Sequence, residues 1–173
     1  MKTTLNKIRA YAPCADGWKK LLRHLGKTQP DDEPLSIATI LDSNGLDDAL
    51  WCLRAVKGRD REIRLYAVWC ARQVQHLMTD PRFLAALDVA ERFANGEATK
   101  AELNAARAAA GAAGDAAEAL WGAAGDAAEA LWAAARAAAW AAAWASGGAR
   151  AVARAAQSAQ LRKVCAEIEG ENK

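Results

Sequence analysis

The sequence predicts an all-α fold: a multi-helix bundle with a long Ala/Trp-rich helix and a returning C-terminal helix. Three observations predict it. β-Branched alternation never runs for five residues, whereas apolar residues recur at i, i+3, i+4 and i+7 throughout. Between residues 101 and 145, 26 of 45 positions are Ala, the strongest helix former. Finally, GAAGDAAEALW at 111–121 recurs unchanged at 122–132. Eleven residues make almost three whole turns, so such an insertion rotates downstream side chains by only about 20°. A helix absorbs the copy without changing its faces. A loop or a strand-rich fold has no such protection.

The elements follow in order. Thr4–Tyr11 is helical and stops before Pro13; Asp16–Leu25 ends at Gly26. The loop KTQPDDEPL leads to Ser36, which can cap Ile37–Asp42. Asn44-Gly45 makes a turn, and Leu46–Val56 is helical up to Gly58. Asp60–Met78 follows; Thr79-Asp80-Pro81 then opens Arg82–Ala94, which Asn95-Gly96 closes. Thr99 with Glu102 is a capping box at the head of the alanine-rich region. Ser146-Gly147-Gly148 breaks that region, and Ala149–Ile168 returns. The expected organisation is one domain: a helical body at 1–98, an arm at 99–145 and the returning helix at 149–168.

Periodicity also names the core. In Leu46–Val56 the inward stripe is Leu46, Ala49, Leu50 and Leu53, with Trp51 off it, on the flank of Asp47 and Arg54. In Asp60–Met78 it is Ile63, Tyr66, Cys70, Val74 and Leu77, with a second stripe at Leu65, Trp69 and His76. Trp-Cys-x-Arg occurs in both helices, at 51–54 and 69–72, which reads as one packing solution used twice. A continuous arm would run for about 69 Å, anchored by Trp121, Trp132, Trp140 and Trp144. In the competing reading, Asp115 and Asp126 cap two shorter helices. A homodimer built through the arm is a further reading.

Charge and composition narrow the function. Net charge is +2 over 173 residues, too mild to announce nucleic-acid binding. It is uneven, however: residues 1–26 carry six Lys/Arg and one acid, and residues 27–60 four against seven acids. The four cysteines, Cys14, Cys52, Cys70 and Cys165, lie far apart and form no CxxC. This spacing points to a reducing compartment rather than a disulfide scaffold or zinc site. No signal-like segment opens the chain, and no apolar run is long enough to span a bilayer, so a cytoplasmic protein is expected. His24 and His76 have no ligand-spaced partner, and no phosphate loop, nucleophile elbow or HExxH occurs. No catalytic, cofactor or metal residues are therefore assigned. Two surfaces remain. The acids Asp31, Asp32, Glu33, Asp42, Asp47 and Asp48, with Trp51, could imitate phosphate charge toward a basic channel. Alternatively Trp18, Lys19, Lys20 and Arg23 could meet nucleic acid, with Trp18 stacking.

The stretches CADGWKKLLRHLG, ILDSNGLDDALWCLRAV, REIRLYAVWCARQVQHLMTDPR and AAARAAAWAAAWA resemble an immunity-protein family of bacteria and phages. The likeness spans residues 14–168 and is most specific in GLDDALWCLRAV and AVWCAR. The opening segment also resembles small phage proteins of the anti-CRISPR kind. These resemblances imply a small helical inhibitor that neutralises a protein effector, such as a CRISPR nuclease complex or a toxin, by occluding it. They bring no catalytic residues. The 111–132 duplication departs from the usual Ala/Arg/Trp run, so a shared partner surface is not implied there.

Overall fold

A computed structural model describes residues 1–77, 81–111 and 147–170. The fold is all-α. Its helices are α1 (Leu5–Arg9), α2 (Ala15–His24), α3 (Ile37–Asn44), α4 (Leu46–Cys52), α5 (Asp60–Arg72), α6 (Pro81–Ala94), α7 (Lys100–Gly111) and α8 (Gly147–Gly170). The tandem copy, its alternative caps, and Trp121, Trp132, Trp140 and Trp144 lie outside the described residues, as does the question of a dimer through the arm.

Local chemistry sets the boundaries. Thr4 and Ser36 accept the backbone N–H groups of Lys7 and Ala38, capping α1 and α3. Thr99 Oγ1 accepts from Glu102 N–H while the Glu102 carboxylate accepts from Thr99 N–H, a closed capping box at α7. Gly45, with φ of 95°, separates α3 from α4 in a conformation a side chain would strain. Two helices are shorter than their periodicity suggests. The stretch Leu46–Val56 tightens into a 3₁₀ turn at Leu53–Ala55, and α5 stops at Arg72 before a second one at Gln75–Leu77.

One feature departs from the expected pattern. Lys2–Thr3 (β1) pairs antiparallel with Leu35–Ser36 (β2), Thr3 opposite Leu35. Thr3 and Leu35 are both buried, and Thr3 Oγ1 donates to the Ala55 carbonyl at 2.7 Å. Two-residue strands carry no readable alternation, so this patch of sheet inside the body escapes a periodicity argument.

The chain divides into two compact units, Met1–Arg59 with Ser158–Lys173 and Asp60–Gln157. The division falls after Arg59, inside the stretch read from sequence as one body. In the first unit α2 and α3 run antiparallel: Asn44 at the end of α3 donates to the Gly17 carbonyl at the start of α2. The core stripe Leu46, Ala49, Leu50 and Leu53 is buried, with Leu5, Ile8, Ile37, Ile40 and, from α8, Leu161, Cys165 and Ile168. Removing these side chains from water contributes roughly 25 cal/mol per Å² of apolar surface, the main favourable term.

In the second unit α6 packs on α5 and on α7. Ala86 and Ala110 are fully buried at the α6–α7 contact beside Phe83 and Ala106, small residues that let backbones approach. Ile63, Tyr66 and Cys70 of α5 are buried, while Val74 is half-buried. The second buried side of α5 is Ala67, Val68 and Ala71. Leu65 and Trp69 of the expected second stripe stay half-buried, and His76 is exposed beyond the end of the helix at Arg72.

Candidate functional site

The expected acidic surface is not one patch. Because α2 and α3 are antiparallel, Asp31–Glu33 lies at one end of the pair and Asp42, Asp47 and Asp48 at the other. Ten residues of α2, about 15 Å of helix, separate the two groups. Most of these acids also have partners within the chain. Lys27 Nζ sits 2.6 Å from both the Asp31 and the Glu33 carboxylates. The hydrogen bond that Lys27 donates to Asp31 raises the Lys27 pKa, with that to Glu33 next, and Lys27 in turn lowers that of Asp31. Asp32 accepts from Thr4 Oγ1 and Asn6 Nδ2. Asp42 pairs with Arg162 of α8, and Asp48 accepts from Asn44 Nδ2 at 2.7 Å. Asp47 is exposed in the first turn of α4.

The Asp31–Glu33 loop therefore reads as a clamp that docks the approach to β2 onto α1. Beside it lies a cavity of about 550 Å³, lined by Leu5, Leu25, Lys27, Glu33, Ser36 and Glu169 among others. Ser36 Oγ donates to Glu169 Oε1 at 2.9 Å, and the Met1 ammonium lies 3.7 Å from the same oxygen. The charges of Lys27 and Glu169 are thus matched from within.

Trp51 stands apart. Its neighbours Leu50, Cys52 and Leu53 are buried, yet the indole is only half-buried. The Arg54 guanidinium lies 4.5 Å over the ring, and Arg54 Nε donates to the Trp51 carbonyl at 3.0 Å. Two contacts thus fix one arginine against one tryptophan, with a cation–π attraction of roughly 0.5–1 kcal/mol at an exposed site. Three residues further on, Lys57 Nζ donates to the Tyr11 hydroxyl at 3.4 Å. Tyr11 itself is 38 % exposed. Sequence reading found Trp51 but not Tyr11 or Lys57, which no spacing relates to it. The Arg three positions after Trp was the one local signal.

The equivalent pair in α5 is used differently. Trp69 is half-buried and stacks with Tyr66 at 6.3 Å, and Arg72 pairs with Asp88 and Glu91 of α6. Cys52 and Cys70 are both buried, and burial pushes each thiol up to about 12. The repeated Trp-Cys thus shares the buried cysteine but not the surroundings of the tryptophan and arginine.

On α2, Leu21 is buried while Lys19, Lys20 and Arg23 are exposed and Trp18 is half-buried. None of these three cations pairs with an acid among the described residues. Both histidines are exposed. Among the described residues, no cluster of His, Cys, Asp and Glu could hold a metal ion, and no helix is long and apolar enough to cross a membrane. No protein-family model, curated protein or solved structure matches the chain.

Proposed function

We propose that this chain is a non-enzymatic protein that binds and neutralises a protein effector of the CRISPR-nuclease or toxin kind. It would act in a bacterial host cell by blocking the effector's access to nucleic acid or substrate. The supporting observation is the Trp51–Arg54 pair. The α4 core closes with Leu46, Ala49, Leu50 and Leu53, so folding leaves the indole and guanidinium at the surface. Tryptophan and arginine dominate binding hot spots, and side chains already held in place lose less entropy on association. Asp47, one turn before Trp51, belongs to the same surface.

The test is capture from a bacterial lysate on immobilised full-length chain, with Trp51→Ala beside it. Loss of the hot spot should weaken retention of the effector about 30-fold, corresponding to about 2 kcal/mol, with the far-UV spectrum unchanged. Capture indifferent to Trp51→Ala would count against the reading.

A second reading, nucleic-acid binding, draws on the acid-free cations Lys19, Lys20 and Arg23 beside Trp18. It requires affinity for labelled DNA or RNA at physiological salt that Lys19→Glu/Lys20→Glu removes. Without that loss, these lysines form a solvated face.

A further inference from the structure

We infer that the surface around Arg54 is a receptor for carboxylates, and that the partner presents an acidic segment to it. The inference rests on the effector-binding reading and adds the chemistry of what is bound.

Two cation–ring contacts, three residues apart along the chain at Arg54 and Lys57, define this surface. Lys57 meets Tyr11 at 3.4 Å, and Arg54 lies over Trp51. Lys7, four residues before Tyr11, is exposed on α1. Among the described residues none of the three cations is bonded to an acid, while Asp31, Glu33, Asp42 and Glu169 of the same unit are all in ion pairs. These bases, like Lys19, Lys20 and Arg23 of α2, stay open to a partner. Charge complementarity then selects an anionic one.

The geometry of Arg54 selects further. Its Nε is already committed to the Trp51 carbonyl and its plane to the indole, so the guanidinium is held in place. The two terminal nitrogens carry no partner among the described residues. They can donate a parallel pair of hydrogen bonds, the fork that a carboxylate fills. Lys57 supplies a second, point-like charge nearby. A nucleobase would need an open ring face for stacking. Here Arg54 covers a face of Trp51, so a base stacking on that face would have to displace the cation that attracts its phosphate. An acidic peptide meets no such conflict. The turn that carries Tyr11 is itself strained. Ala12 has φ of 53°, a left-handed conformation costing an alanine roughly 1–2 kcal/mol. Such strain persists only where its surroundings impose it.

Fluorescence anisotropy on the full chain tests the inference, with labelled poly-glutamate and an oligouridylate of matched charge as probes. Poly-glutamate should bind more tightly. Arg54→Gln should weaken it about tenfold or more, since a charged, paired hydrogen bond is lost. Arg54→Lys should lose nearly as much, because the charge stays but the fork goes. Lys163→Gln removes one exposed charge from α8 and should change little. Equal losses from Arg54→Gln and Lys163→Gln would mean unspecific attraction and overturn the inference. So would tighter, Arg54-dependent binding of the oligouridylate. A captured effector that neither Arg54→Gln nor excess poly-glutamate releases also overturns it, while leaving effector binding intact. Conversely, Arg54-dependent poly-glutamate binding without any Trp51-dependent capture keeps the receptor and removes the effector.

Discussion

Replacing Gly17 by Ala sets two effects of opposite sign against each other. Gly17 lies in the first turn of α2, where intrinsic propensity alone favours Ala by up to about 1 kcal/mol. The added Cβ, however, would sit 2.7 Å from Asp48 Oδ2, 3.4 Å from Asp48 Cγ and 3.0 Å from Cys14 Sγ. The thiol is exposed and held only by the weak N-cap bond it accepts from the Gly17 N–H, so it can rotate away at small cost. The carboxylate cannot move as cheaply, because Asn44 Nδ2 holds Asp48 Oδ2 at 2.7 Å and the Gly17 carbonyl at 2.8 Å. Displacing it loses a charge-assisted hydrogen bond, about 1.5–3 kcal/mol. The expected net effect of Gly17→Ala is a loss of roughly 0.5–2 kcal/mol. In an Asp48→Ala background the same change should become stabilising, by up to about 1 kcal/mol. Urea unfolding followed by far-UV circular dichroism on the four proteins of this cycle measures both signs. A gain in stability from Gly17→Ala with Asp48 present would refute the reasoning.

Tyr66→Phe should cost about 1 kcal/mol in the same unfolding assay, because the hydroxyl donates to the Gln157 carbonyl at 2.8 Å where both residues are buried. Native protein treated with a maleimide at neutral pH should be modified at Cys14 alone, by mass spectrometry. Cys52 and Cys70 are buried with thiols pushed up to about 12, and Cys165 is buried and raised as well. The Thr99 N–H and hydroxyl hold the Glu102 carboxyl below the usual carboxylate range. A lowered folded pKa gives stability that is present at neutral pH and lost as acid protonates the group. Hydrogen exchange at the start of α7 should therefore quicken, relative to its intrinsic rate, as pH falls through and below the carboxylate range. Glu102→Gln should remove that dependence, and Thr99→Ala, which keeps the backbone N–H, should only weaken it.

Much of the fold was legible because it depends on neighbours in sequence. The caps at Ser36 and Thr99, the left-handed turns at Gly45 and Gly96, and the α4 core stripe all involve residues within a few positions of one another. The ends of α4 and α5 were less legible, since continuing periodicity does not reveal where a helix tightens into a 3₁₀ turn. The candidate site was legible only at Trp51 and, through its spacing of three, Arg54. Tyr11 joins Lys57 across 46 positions, a relation that no motif encodes.

By itself, then, the sequence determined the helical class, the caps at Ser36 and Thr99 and which face of α4 points inward, because each follows from backbone propensity and side-chain period within a turn or two. Only the tertiary structure decided the pairing of Lys2–Thr3 with Leu35–Ser36 and the division of the chain after Arg59. It also decided which charges are neutralised at home. Asp42 looks like any other Asp as a letter, and it is matched only because Arg162 arrives beside it from 120 positions away. That is a matter of distance in space, which acts through Coulomb's law and hydrogen-bond geometry and leaves no period in the chain.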